Sequence, residues 1–380
     1  MALKYWVNGT GTWGAGASSH WANVAGQSVS PPGVGDDAIF DANSGPAGTV
    51  VQITKTGVAC KTLTVTSGFL GTFGVSGGGP FVIPIYGNCT LGGQALFPNT
   101  YGVPIEIRFM GSDPTIALTT NGTEMPNVTF AASTTTTYVL MDDLITHTAN
   151  AGGPTNSNQW TINLASGILN ANDKNVTTRV FNTNDIYNVN NSRTLLMGTG
   201  IWTIAGWNTT VAGFTSVWGF DNGQGNVSID GSKATLNITN GNTTDKTLYL
   251  HNGTYKKIIL GGATGINGSW WLYGGGTIED LASTKTTSYY LRIDTANPLT
   301  VNNFLISGYG ITVTSSSGGT QATLNTKTTS ETFRVGANST DLGNNTGITF
   351  TAGSELDNLG FQDINVVTTI DPKANFTSFF

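Results

Sequence analysis

A water-facing α-helix needs Glu, Lys, Arg and Gln along its outer side, and this chain has too few to clothe a helical bundle. It carries 16 Lys and Arg and 22 Asp and Glu in 380 residues, 10% charged, against about 25% in a typical globular chain. In their place stand 61 Thr, 37 Asn and 51 Gly. Thr favours strands, while Asn and Gly favour tight turns. A hydrophobic share of 38%, with nine Trp, seventeen Phe and eleven Tyr, supplies a core, which a disordered chain would lack. The expected class is all-β.

From about Val50 the chain reads strand, turn, strand. Val50-Val51-Gln52-Ile53-Thr54 and Cys60-Lys61-Thr62-Leu63-Thr64-Val65-Thr66 alternate apolar with polar residues, the period of a half-buried strand. The cassette recurs at Asn127–Phe130, Trp160–Leu164, Ala234–Thr239, Ile258–Leu260, Phe304–Ile306 and Ala322–Asn325. The separations are uneven, as in a β-helix whose rungs carry loops of variable length. A rung cannot bury its apolar side alone, and stacking supplies the cover. Asn and Thr also suit side-chain ladders between stacked rungs. That use accounts for the apparent glycosylation sequons at Asn127, Asn226 and Asn237.

The first forty residues differ. Trp6, Trp13 and Trp21 are spaced by seven and eight positions among Gly-rich turns, which suggests a compact aromatic cap over the open end of a solenoid. Pro31-Pro32-Gly33 makes a rigid turn and Asp36–Asp41 a strand leaving it. The expected organisation is an N-terminal cap over 1–48, a β-helix over 49–350 and a C-terminal extension over 351–380. That extension ends in Phe376-Thr377-Ser378-Phe379-Phe380, an aromatic candidate for docking.

The opening Tyr5-Trp6-Val7-Asn8-Gly9-Thr10-Gly11-Thr12-Trp13, then Ser19-His20-Trp21, then Asp36-Asp37-Ala38-Ile39-Phe40-Asp41-Ala42-Asn43-Ser44, resembles the start of a group of β-helical proteins from bacteriophage genomes. Ala59–Thr66 is similar to their first rung. Gly319–Leu324 and Ala337–Gly347 resemble their last rung and terminal cap. The resemblance spans most of residues 5 to 350, with distinctive motifs at its two ends only. It implies a phage-encoded virion structural protein folded as a right-handed parallel β-helix, and it carries over no catalytic residue.

A net charge of −6 and a pI of about 4.9 argue against a nucleic-acid surface, which needs clustered Lys and Arg. No apolar run approaches the roughly 20 residues of a membrane span. The start, Met-Ala-Leu-Lys-Tyr-Trp, lacks the apolar core of a signal peptide, as suits a protein released by lysis. Cys60 and Cys89 cannot form a disulfide framework; buried free thiols are expected, with a single bridge as the alternative.

Chemistry-bearing constellations are sparse. His20, His147 and His251 have no metal-ligand spacing, and His20 fits the cap. Glycoside hydrolysis needs two carboxyl groups flanking the scissile bond. The candidates are Asp142-Asp143, Asp185, Asp221 with Asp230, and Glu279-Asp280. Adjacent strand residues point to opposite faces, so Asp142 and Asp143 diverge there, and in a turn they are simply solvated. Asp36, Asp37 and Asp41 fit turn and strand capping better than a cation site. No catalytic residue, metal site or cofactor is assigned.

The aromatic run Ser269-Trp270-Trp271-Leu272-Tyr273 is the most informative local feature. Alternation sets Trp270 and Leu272 on one face and Trp271 and Tyr273 on the other, so one pair faces outward. Trp270, Trp271, Tyr273, Phe379 and Phe380 are the candidate interface or glycan contacts. Trp202, Trp207 and Trp218 form a second cluster open to either reading. The expected function is a non-enzymatic virion protein: a homo-oligomer, a trimer by analogy, placed as a tail fibre or spike, beside other virion proteins and host-surface glycan. Capsid decoration and a carbohydrate-active spike are the alternatives.

Overall fold

The computed structural model describes residues 1–350 except 15, 17, 76–80, 98–104, 147–160, 184–190, 206–215, 220–225, 240–245, 262–268, 285–288, 294–296, 298, 307–310, 316–323, 327–332, 336–339 and 342–347. The extension 351–380, with Phe376, Phe379 and Phe380, lies outside the described residues, as do Asp185, Asp221, Trp207 and His147. The described residues form β-strands and one 3-10 turn, Ser18–His20, with no α-helix among them. The chain is all-β, with long parallel sheets. It divides into two compact units, Met1–Thr235 and Leu236–Phe380.

In the first unit nearly every strand pairs in parallel with its neighbours. Partner positions lie as close in sequence as Ile162 and Phe181 and as far apart as Gly11 and Val51. The alternation read from the sequence becomes an inside and an outside. Along one sheet, Ile83, Ile107, Val128, Ile162, Phe181 and Trp218 are successive register partners, and every one is fully buried. Their outward neighbours run Pro84, Arg108, Thr129, Asn163 and Asn182. A second sheet stacks Ile116, Tyr138, Leu169, Leu195 and Ile229 in the same way, all buried. Successive parallel strands thus align their apolar side chains in continuous buried rows.

Turns help hold the strands in register. Asn121, Asn172 and Asp173 adopt left-handed backbone (φ 49°, 51° and 61°), which short polar side chains tolerate. Turn side chains then reach residues far away in the sequence. Asn172 Nδ2 donates to the Leu140 carbonyl at 3.1 Å, Asp173 Oδ1 accepts from Thr199 N–H at 2.8 Å, and Asn175 Oδ1 accepts from Ile201 N–H at 2.9 Å. Asn88 does the same for Ala117 N–H at 2.8 Å. Inside, the buried Thr146 hydroxyl donates to that of Thr178 at 2.9 Å. This is where the abundant Asn and Thr go: they pair backbone groups that bends in the coil would otherwise leave unmatched.

The N-terminal aromatics close on one ring. Phe40 lies 5.0 to 5.8 Å, centroid to centroid, from Trp6, Trp13, Trp21, Phe69 and Phe73. All six are fully buried. His20 stacks on Trp6 at 5.0 Å and so joins this aromatic cluster. The same N-terminal segment enters the sheets: Leu3–Trp6 pairs in parallel with Asp37–Phe40 and antiparallel with Trp21–Ala22, and Gly11–Trp13 pairs in parallel with Val50–Ile53. Beyond Trp21–Ala22 the chain turns back, with Val29 N–H donating to the Trp21 carbonyl at 2.9 Å. Both N–H groups of the turn at Ala25 and Gln27 bond to Asn23 Oδ1 at 3.0 Å.

The second unit repeats the pattern. Leu248, Leu272 and Ile293 are register partners pointing inward, and all are buried. Opposite them, Thr254–Leu260, Gly276–Ser283 and Leu299–Ile306 pair in parallel. Ile278 and Val301 share one buried row there.

Candidate functional site

The strand Ser269–Tyr273 places its aromatics as alternation requires. Trp270 and Leu272 are each 2% exposed, so Trp270 is a core residue and unavailable as a contact. Trp271 and Tyr273 are half-buried on the outer side. They do not stand alone. Tyr273 is the register partner of Tyr249, and their rings stack at 5.4 Å and 22°. Trp271 and Tyr273, two residues apart, lie nearly parallel with centroids 5.8 Å apart. On the next strand Arg292, the partner of Trp271, holds its guanidinium 4.4 Å from the indole centroid, a cation–π distance. His251, at 6.3 Å from Tyr249, sits in a left-handed turn (φ 53°) at the end of the row. Sequence reading found Trp271 and Tyr273; Tyr249, His251 and Arg292 join them only through the register.

The second tryptophan cluster has an internal role. Trp202 and Trp218 are fully buried, meet edge to face at 5.7 Å and both pack on Phe181. Trp202 Nε1 donates to the Met197 carbonyl at 3.2 Å. These two belong to the core.

Four of the candidate carboxylates, Asp142, Asp143, Glu279 and Asp280, bond to residues more than twenty positions away in the sequence. Asp142 and Asp143 are not simply solvated, as a turn position alone had suggested. Asp142 accepts from Thr120 N–H at 2.8 Å and from Asn121 N–H. Asp143 faces the other way, accepting from Asn175 N–H at 2.8 Å and from Asn175 Nδ2 at 3.1 Å. Glu279 accepts from Asn302, and Asp280 from Asn303 at 2.8 Å. Asp230 accepts the Ser232 hydroxyl at 2.7 Å and N–H at 3.0 Å. The Ser232 bonds hold its carboxyl below the usual range, the opposite of the shift a general acid needs.

The N-terminal acids behave likewise. Asp37 accepts the Thr62 hydroxyl at 2.7 Å, Asp41 accepts Asn43 N–H at 2.8 Å, and Asp36 pairs with Lys4 at 2.8 Å. Burial pushes the Asp36 carboxyl up, but the Lys4 and Gly33 hydrogen bonds outweigh it and the net shift is downward. Among the described residues no three His, Cys, Asp or Glu side chains gather as a metal site. A cleft of about 600 Å3 lies between the Asn8–Thr10 turn and the loop from Asn43 to Thr49. No helix among the described residues is long and apolar enough to cross a membrane.

Cys60 and Cys89 are free and fully buried. Burial pushes the Cys89 thiol up to about 12. Burial, then the neighbouring Cys89 and Asp37, carries Cys60 well above the ordinary thiol range. An unfolded thiol ionises near pH 8.5, so both folded thiols keep their protons where the unfolded chain would lose them. Their contribution to stability is complete below about pH 8.5 and fades as pH rises toward about 12. At pH 8 a thiol reagent should label neither cysteine in the folded protein and both in guanidinium. Rapid labelling of either one without denaturant would contradict the burial.

No protein-family model matches the sequence, and neither a curated protein nor a solved structure matches it.

Proposed function

We propose that the chain is a non-enzymatic structural protein of a bacteriophage particle, built as a right-handed parallel β-helix and serving as a tail-fibre or spike-type appendage in host-surface attachment. The observation that supports this most is the buried column from Ile83 to Trp218. Every coil there buries its apolar side against the next, the economy of a solenoid. The end motifs around Tyr5–Trp13 and Ala337–Gly347 bring the phage resemblance to the same reading. Carboxylates bonded from coil to coil, such as Asp142 and Asp143, favour a scaffold over a hydrolase. In the particle the chain associates as a homo-oligomer, a trimer by analogy with other phage β-helices, beside other virion proteins.

Light scattering of the purified protein should give about three times the 39.6 kDa chain mass, and a particle reconstruction should place its density at the tail. A clean monomer at micromolar concentration defeats the oligomer. Density on the capsid facets replaces the tail reading with capsid decoration, and absence from particles ends both.

A further inference from the structure

The outer side of one sheet in the first unit carries a face without charge. Thr115, Thr137, Ile168 and Thr194 are register partners across four strands, and Ala117, Val139, Asn170 and Leu196 form the row beside them. A third row runs from Thr64 through Thr90 to Thr119. These positions are half-buried or exposed, while the inward neighbours Ile116, Tyr138, Leu169 and Leu195 are core. We propose that this face is where copies of the chain meet. The inference rests on the homo-oligomer proposed above and assigns its contact surface.

Two observations favour a second copy over any other occupant. The first is charge. On the strands of this sheet from Leu63–Val65 to Arg193–Leu196 no Lys, Arg, Asp or Glu stands at an outward position, since Arg193 points inward and is 1% exposed. Carboxylates frame the face instead: Asp113 just before Thr115, Asp142 and Asp143 just after Met141, and Asp230 opposite Leu196. The other long sheet of the unit carries Glu106 and Arg108 on its outer side, paired at 2.7 Å. A chain of net charge −6 repels its own copy at acidic surfaces, and least of all here. Charge depleted at the centre and gathered at the rim is also the layout of a protein interface.

The second observation is self-complementarity. Val139, Ile168 and Leu196 give apolar contact, and each Thr hydroxyl both donates and accepts. Among the described residues the hydroxyls of Thr115, Thr137 and Thr194 make no bond within the chain. Such a surface is its own complement, as the meeting of like patches in a symmetric oligomer requires. A partner of opposite charge would find nothing on it to pair with. From Leu63–Val65 to Arg193–Leu196 the sheet spans six strands, roughly 24 Å by 14 Å of outer surface from strand spacing and rise. That is the size of patch that serves association.

The full chain is tested by sedimentation and light scattering. Ile168→Glu and Leu196→Glu each set a carboxylate in the middle of the face. Either should raise the oligomer's dissociation constant roughly a hundredfold and release a monomer of 39.6 kDa. Raising salt from about 0.05 M to about 0.5 M should tighten wild-type association severalfold, because it screens the framing acids. Both native cysteines are buried, so an introduced thiol is the reactive one. A short bismaleimide should link copies of Thr137→Cys and should not link Val82→Cys, outward on the other sheet. This arm decides the question if a glutamate variant fails to fold. An oligomer that survives both folded glutamate variants, or that links through Val82→Cys in place of Thr137→Cys, overturns the inference and leaves the oligomer standing. Association that salt weakens also overturns it, because that marks a charge-paired contact elsewhere. A monomeric wild type removes the inference and the oligomer together. If Ile168→Glu then keeps that monomer out of particles, the face belongs to another virion protein. Position in the particle is read from density and does not depend on these results.

Discussion

Phe40→Ala should lower the unfolding free energy of the N-terminal unit by about 4 kcal/mol, in the range measured for large-to-small changes at buried aromatic positions. The ring has five aromatic neighbours within 5.8 Å. They come from segments between Trp6 and Phe73, so relaxation of any one cannot fill the space left behind. Deleting the ring removes both its own burial and the edge-to-face contacts with Trp21 and Phe73. Val24→Ala is the matched control, since Val24 is 74% exposed and should change stability by less than about 0.5 kcal/mol. Urea titrations of the two variants decide the matter: a Phe40→Ala loss below about 1 kcal/mol would mean that the ring cluster is not the seal of this end.

Gly111→Ala should cost about 3 kcal/mol, at the upper end for added atoms in a packed site. A Cβ there would lie 1.8 Å from the carbonyl oxygen of Tyr86 and 2.4 Å from its carbon. The obstacle is backbone, so no side chain can turn aside. The two backbone segments would have to part where Met110 N–H donates to the Ile85 carbonyl at 2.8 Å. Gly122→Ala separates this steric effect from backbone strain. Gly122 has φ +82° but nothing within 4 Å of its would-be Cβ, so only the left-handed penalty of about 1–2 kcal/mol applies. Thermal melts placing Gly111→Ala no lower than Gly122→Ala would refute the close crossing.

Strand content was legible in the sequence because a period of two is a local property. Asn127–Phe130 is a strand with the bounds the cassette has, and the split of Trp270 from Trp271 follows from alternation alone. Pairing between strands was not legible, since it depends on loop lengths that vary from one strand to the next. Asp142 reaches back to Thr120 while its neighbour Asp143 reaches forward to Asn175; nothing local marks either partner. For the same reason the three tryptophans of the N-terminal ring cluster were visible in the sequence but not Phe69 and Phe73, which arrive from later in the chain. Arg292 likewise joins Trp271 only once the register is known. Pro84 is a different case. Proline reads as a strand breaker, yet Phe81–Ile85 is a strand at the edge of its sheet, where a missing N–H is tolerated.

The hairpin at Trp21–Ala22 has a consequence for how copies of this chain meet. Stacked parallel strands end in unpaired backbone groups, an invitation to polymerise. Here the last strand is two residues long and runs antiparallel to its neighbour. Its far edge is already engaged by the returning turn through Val29. An incoming parallel strand finds the wrong polarity and no free edge long enough to template it. This edge is therefore sterically and directionally barred to fibre growth.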